Sequence, residues 1–155
     1  NHTWVWNVET GAFLKTEEQK GAWKVSFFPD GKRFAVSSSS SSNPIIKIYE
    51  TATAKEILTL RGHTKRIRAL DVSPDGKLIA TGSQDSNIII WNAETGAEIK
   101  RFAFEKPTEF QDVQFSKHGD KLAISGFEIL AVFDTKTWEK KQIEPEKFVD
   151  KNVML

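Results

Sequence analysis

His63, Ser83 and Asp85 are the side-chain types of a hydrolytic triad: a hydroxyl nucleophile, an imidazole base and a carboxylate to orient it. That chemistry also needs an oxyanion donor and a substrate pocket, and no residue pattern in the chain supplies either. The opposing reading is structural. Polar side chains forced inside a fold must satisfy one another, because a buried polar group without a partner costs about 1–3 kcal/mol.

Other chemistries find less support. The three histidines, His2, His63 and His118, are dispersed, and the acidic residues do not cluster at a loop-ligand spacing, so no metal is expected. Cysteine is absent, which excludes a disulfide framework, thiolate catalysis and Cys-ligated zinc. The glycines Gly31, Gly76 and Gly119 serve turns, and none opens a phosphate-cradling loop that leads into a helix. No cofactor is expected. With 22 Lys plus Arg against 21 Asp plus Glu, the net charge of +1 removes the global case for a nucleic-acid binder. The longest apolar stretch, Ile129 to Phe133, falls far short of the roughly 18 residues of a membrane span. The cytoplasm is the expected compartment, although no residue type fixes it.

One local charge feature stands out. Arg61, Lys65, Arg66 and Arg68 form a basic run interrupted only by neutral residues and His63. It reads either as a solvated loop or as a basic rim that meets an acidic partner segment. Phosphate backbone is a poor fit, since the rest of the chain is neutral and no aromatic platform accompanies the run in sequence.

The elements that must position these residues repeat. An aromatic followed by a polar residue ends a β-like run at Trp6-Asn7, Tyr49-Glu50, Trp91-Asn92 and Phe133-Asp134, with the aromatics 43, 42 and 42 residues apart. Thr10, Thr53, Thr95 and Thr137 each follow three residues after the polar position. A second landmark recurs out of phase as Phe28-Pro29-Asp30-Gly31, Ser73-Pro74-Asp75-Gly76 and Ser116-Lys117-His118-Gly119, its glycines 45 and 43 residues apart. Between the landmarks lie short runs rich in Ile, Val, Phe and Trp, bounded by turn chemistry. They predict strands at Trp23–Phe28, Arg33–Ser38, Ile45–Tyr49 and Lys55–Leu60; at Ile67–Ser73, Leu78–Ser83, Asn87–Trp91 and Glu98–Phe102; and at Phe110–Ser116, Lys121–Ser125, Ile129–Phe133 and Trp138–Ile143. No stretch keeps a 3.6-residue apolar period, so almost no helix is expected. Four antiparallel strands in about 42 residues is the arithmetic of a propeller blade. The predicted fold class is therefore all-β, with three complete four-stranded blades and partial blades at both ends.

The same residues resemble the WD-repeat family. The best match is Gly62-His63, then Ser73-Pro74-Asp75-Gly76, then Thr81-Gly82-Ser83-Gln84-Asp85, then Ile88-Ile89-Ile90-Trp91-Asn92, with Asn92 where the family's final Asp stands. The resemblance implies a buried structural relay of His63, Asp85, Thr81 or Ser83, and Trp91, in place of a catalytic triad. The unit before it has Tyr49 for Trp and Lys20-Gly21 where the His would be. The unit after it has Phe133, no His and no Asp, with Phe127 near the expected turn. Those two units must rely on apolar packing.

The expected units are 1–16 (partial), 17–60, 61–103, 104–143 and 144–155 (partial, with Val149, Val153 and Leu155 apolar). A family-typical ring of seven needs roughly 290 residues, so this chain is expected to be an excised piece of a longer protein. Self-association, which would cover open blade faces, and a small closed ring are the other readings. The Gly and aromatic offsets differ by three residues in the unit 17–60, which places an insertion within the serine run Ser37–Ser42. That run reads as a floppy solvated loop or as an adaptable, phosphorylated contact loop.

The resemblance places the basic run on the blade face most used for partners. Aligned on the turn glycines, Trp23 falls where Arg68 and Gln111 stand, and it serves as an interface anchor or as packing. Trp4, Trp6 and Trp138 are expected in outer strands, packed between blades. The reading is thus a non-catalytic scaffold that binds a protein or peptide through rim residues Trp23, Lys65, Arg66, Arg68, Glu109 and Gln111, with neither nucleic acid nor membrane as partner. The alternatives are the propeller of a hydrolase-like enzyme or a sensor module in a longer multidomain chain.

Overall fold

The structure, a computed structural model, describes residues 4–6, 10–15, 21–38, 40–105, 108–127 and 129–142 of the 155. A short hairpin comes first, β1 (Trp4–Trp6) and β2 (Phe13–Lys15). The second sheet is β3 (Ala22–Phe27), β4 (Arg33–Ser38), β5 (Ile45–Glu50) and β6 (Glu56–Arg61). The third is β7 (Ile67–Val72), β8 (Leu78–Ser83), β9 (Asn87–Asn92) and β10 (Glu98–Ala103). The fourth is β11 (Phe110–Phe115), β12 (Lys121–Gly126), β13 (Ile129–Asp134) and β14 (Lys140–Gln142). Each sheet is antiparallel and its strands pair in chain order, so each larger sheet is a four-stranded meander. No helix occurs among the described residues. The molecule is all-β, and its sheets are the blades of an incomplete propeller.

Turn chemistry sets the meander. Gly31, Gly76 and Gly119 donate their N–H to the carbonyls of Phe28, Ser73 and Ser116 at 2.8–2.9 Å, each with a positive φ that glycine adopts without strain. Asp30 and Asp75 accept the N–H two residues on, at 2.9 and 3.0 Å.

Packing follows from strand alternation. In β9, Ile89 and Trp91 enter the core shared with the second sheet, while Ile88 and Ile90 enter the core shared with the fourth. β9 is therefore buried on both faces, which is why it reads as an unbroken apolar run. The first strands of the three sheets adjoin, β7 packing against both β3 and β11. Asp71 of β7 ties them, accepting Ser26 Oγ–H of β3 at 3.3 Å and the Phe115 N–H of β11 at 2.8 Å. Lys24 and Asp112 form an ion pair from β3 to β11 at 3.2 Å.

One irregularity recurs. The inner strand of every larger sheet carries one extra residue in its ladder, between Ala22 and Val25, between Ile67 and Ala69, and between Phe110 and Asp112. Such a bulge shifts the alternation phase: Ile67, Leu70 and Val72 share one core while Ala69 enters the other. Trp23, Arg68 and Gln111 are the residues at these bulges.

Three expectations change. Trp138 is not in a strand: its N–H donates to the Asp134 carbonyl at 2.8 Å and its φ is +59°, so the chain turns there and β14 begins at Lys140. Its ring nevertheless meets Phe102 of the neighbouring sheet at 5.8 Å. Trp4 and Trp6 do not pack between sheets; they stand with Phe13 on the exposed face of the hairpin, because the alternation turns Val5 inward to Phe34, Val36 and Tyr49. At Ser37 and Ser38 the loop reading of the serine run gives way to the strand expected over Arg33–Ser38. Ser37 and Ser38 are buried strand residues, Ser37 Oγ accepting Lys24 N–H, and Ser38 Oγ donating to Asn43 O and accepting Ile45 N–H. Ile143 and the unit expected at 144–155 lie outside the described residues.

Candidate functional site

The polar side chains singled out in the sequence converge at one end of the third sheet, where the β6–β7 connection crosses to the turn between β8 and β9. Gly62 begins the connection flat against Trp91: a Cβ there would stand 2.8 Å from the indole Cη2. The next residue, His63, enters the sheet with its side chain fully buried, as is Asp85 beside it at 3% exposure.

His63 Nδ1 lies 2.9 Å from Asp85 Oδ2, and its Nε2 lies 2.8 Å from Thr81 Oγ1. Trp91 Nε1–H donates to the same Thr81 oxygen at 2.8 Å. An indole N–H only donates and a carboxylate only accepts, so with a neutral ring the chain runs one way: Trp91 to Thr81, Thr81 to His63, His63 Nδ1–H to Asp85. Burial alone would raise the Asp85 carboxyl. The hydrogen bonds from His63, from Thr64 N–H at 2.8 Å and from Asn87 hold it well below the usual carboxylate range instead.

Ser83 stands outside that line. Its hydroxyl donates to the Lys65 carbonyl at 2.8 Å and accepts Asp85 N–H at 3.2 Å. It makes no hydrogen bond to His63, whose two nitrogens are taken by Asp85 and Thr81, so the three residues are not arranged as nucleophile, base and orienting acid. Gln84 N–H adds a bond to the Arg66 carbonyl at 2.9 Å. Thr64, Lys65 and Arg66 are thus each fastened by backbone to Asp85, Ser83 or Gln84, a role in which Thr64, Gln84 and Asn87 were not foreseen. Asn87 gave a signal, as the residue two after Asp85, whose carboxylate accepts the Asn87 N–H in an Asx turn; the other two act through their backbone amides, which every sequence has.

Above this buried network stands the rim. Lys65 is exposed, and Arg66 and Arg68 are half-buried. Their guanidinium carbons lie 5.8 and 5.0 Å from the ring centre of Trp23, which is 47% exposed. The sequence did not show this aromatic beside the basic run, because Trp23 comes from the preceding sheet. Glu109 accepts Gln84 Nε2–H at 3.2 Å, linking the third and fourth sheets, and Gln111 is exposed at its bulge. Arg61 turns away to the serine loop, where it donates to Asn43 Oδ1 at 3.1 Å. Among the described residues no group of three or more His, Cys, Asp or Glu is placed to hold a metal ion.

Residues 54–92 match the family model described as "WD domain, G-beta repeat". Over 109 residues the chain is 32% identical to the Aspergillus terreus protein named eukaryotic translation initiation factor 3 subunit I, a match covering 70% of this chain and 31% of that relative. It is 36% identical over 84 residues to the protein of the same name from Emericella nidulans, covering 54% of this chain and 24% of the relative. For Scheffersomyces stipitis the figures are 37% over 75 residues, 48% of this chain and 21% of the relative. The chain spans about a third or less of the length of these relatives.

Proposed function

Because this chain is a WD-repeat protein built from propeller blades, we propose that it is a non-catalytic scaffold that binds a protein or peptide partner on its rim. The blades divide at 60/61 and 103/104, and the rim is Trp23, Lys65, Arg66, Arg68, Glu109 and Gln111. The observation that carries the reading is the contrast within one loop. The backbone of Thr64–Arg66 is pinned from below by Asp85, Ser83 and Gln84, while the cations and an exposed indole face outward. A rigid backbone that displays charge and an aromatic ring suits recognition.

The relatives are named as subunits of a translation initiation factor. A place in a cytoplasmic multi-protein assembly is the corresponding reading for this chain. The exposed apolar side chains of Trp4, Trp6, Phe13, Val25 and Phe27 suit further coverage, by more chain or by a second copy.

Affinity capture on the immobilised chain, from an extract of its own source, tests the rim. Trp23→Ala and Arg66→Glu are expected to weaken retention of the captured protein by about tenfold or more, with melting temperatures close to the parent. Unchanged retention in both variants removes these residues from the function.

A further inference from the structure

We propose that Arg68, lying over the indole of Trp23, is a preformed receptor for a carboxylate, so that the rim takes a glutamate or aspartate side chain of the partner segment in a two-pronged hydrogen bond. This rests on the rim-binding reading and names the group it recognises.

The geometry begins with the bulges. Arg68 is the extra residue between Ile67 and Ala69, and Trp23 falls in the shift between Ala22 and Val25. A bulge re-aims a side chain out of regular alternation. Here two bulges on neighbouring sheets bring the guanidinium over the ring, 5.0 Å from its centre. Contact with an aromatic face holds the guanidinium without using its N–H donors, which remain in the plane that a carboxylate fork requires.

Arg68 differs in this from the other arginines of the sheets. Arg33 pairs with Glu94, Arg61 donates to Asn43 Oδ1, and Arg101 pairs with Glu98 at 2.6 Å. Among the described residues no hydrogen bond or ion pair engages the Arg68 guanidinium, although the residue is half-buried. A partly desolvated cation with five free donors is costly to leave unmatched. Among the described residues, the acids on and beside the inner strands are already engaged. The carboxylate of Asp71 in β7 is engaged by Ser26 and the Phe115 amide, that of Asp112 in β11 by Lys24, and that of Glu109 by Gln84. The matching anion comes from outside. A peptide carboxylate fits better than a nucleic-acid backbone. A phosphate track needs a line of cations, whereas this rim passes from Arg66 and Arg68 directly to Glu109 and Gln111 in a chain of net charge +1.

The test measures binding of labelled hexaglutamate, hexaglutamine and single-stranded oligouridylate to the full chain at about 50 mM salt, where exposed charges are only partly screened. Hexaglutamate is expected to bind about tenfold or more tighter than either competitor. Arg68→Lys keeps the charge but loses the fork, and is expected to weaken hexaglutamate by roughly fivefold or more. Lys136→Ala, a cation remote from the rim, leaves binding unchanged. Each variant is melted alongside, so that a loss of fold is recognised, and Trp23→Phe, which keeps an aromatic face, retains most of the binding. The proposal is overturned if hexaglutamate does not bind, if hexaglutamine matches it, if oligouridylate binds tighter, or if Arg68→Lys binds like the parent. Should it fail while Trp23→Ala and Arg66→Glu still weaken partner capture, the rim remains the binding face and only its chemistry was misassigned.

Discussion

The third and fourth sheets fill the same seat in two ways. Trp91 stands opposite Ile79 in the ladder, and Phe133 stands opposite Leu122. Five residues after the turn glycine comes Thr81 in one sheet and Ile124 in the other, both buried. In the third sheet the aromatic, the hydroxyl and a buried histidine form a hydrogen-bonded line ending on Asp85. In the fourth, Phe133 packs on Phe102 at 4.5 Å, and the position of the hydroxyl is the apolar Ile124. The second sheet resembles the fourth, with Val36 at the hydroxyl position and Tyr49 stacked on Phe34 at 5.3 Å. The backbone does not require the polar line. What the line adds is a fixed connection, because Asp85 at its end also holds Thr64. In the fourth sheet the preceding connection is fastened differently: Phe104 packs on Phe110 at 5.2 Å, and the N–H groups of Phe104 and Thr108 donate to the carbonyl and the hydroxyl of Ser86 at 3.0 Å.

The two aromatics are alike as large core anchors and unequal in coupling. Trp91→Ala and Phe133→Ala are each expected to lose about 3–5 kcal/mol in urea unfolding, the cost of a large core truncation. Thr81→Val loses about 1–3 kcal/mol, because it strands the Trp91 N–H and His63 Nε2 together. His63→Ala loses a similar amount, and exchange of the Thr64 amide quickens as Asp85 loses its partner. The triple change His63→Leu, Thr81→Val and Trp91→Phe writes the fourth sheet's chemistry into the third, and is expected to cost less than the sum of its parts by about 1 kcal/mol or more. Strict additivity would show that the hydrogen-bonded line is not a unit.

The two sheets were unequally legible in the sequence. In the third, Gly62-His63, Thr81, Asp85 and Trp91 are each distinctive and recur in order, so the relay was readable; only the choice between Thr81 and Ser83 needed coordinates. The strand periods were readable throughout, because the turn glycines and the aromatic landmarks share one spacing. What failed was local. Trp138 has a strand-former's side chain, but the hydrogen bonds of Asp134 to Lys136 and Thr137 close a turn that reaches it. The bulges leave no mark in composition, and without them neither the phase change in β7 nor the meeting of Arg68 with Trp23 could be derived. That meeting joins residues 45 apart in the chain and depends on how two sheets stack.

Two carboxylates, Asp85 buried and Asp71 half-buried, extend the comparison to pH. Asp85 ends the polar line and is held below its usual range despite burial, by His63, Thr64 and Asn87. Its folded value is depressed, so its contribution is fully present above the unfolded value near 4 and is lost as the pH falls below that. Asp71 joins the inner strands with fewer donors, and burial prevails over its bonds to Phe115 and Ser26, so its value is raised. For a raised carboxyl the sign reverses: the folded state gains on the unfolded one as the pH falls through its folded value. Urea unfolding from pH 7 down to pH 3 should therefore show Asp85→Asn losing less stability on acidification than the parent, and Asp71→Asn losing more. Parallel pH profiles for the parent and both variants would mean that the two carboxylates do not differ as their surroundings imply.

The smallest effect concerns the serine run, where one composition spans two environments. Ser38 Oγ is buried and bridges Asn43 O and Ile45 N–H across the start of the insertion, whereas Ser41 and Ser42 are exposed and Ser42 Oγ lies 3.1 Å from Ser40 Oγ. Ser38→Ala is expected to cost about 1 kcal/mol or more, because it leaves a buried amide and a carbonyl short of a partner. Ser41→Ala and Ser42→Ala should stay within about 0.5 kcal/mol of the parent. Thermal melts of the three variants measure this, and equal losses at Ser38 and Ser41 would show that the insertion is packed along its whole length. The expected inequality instead assigns stability to the strand end and leaves the tip free to vary, which is how a three-residue insertion enters a blade without altering its register.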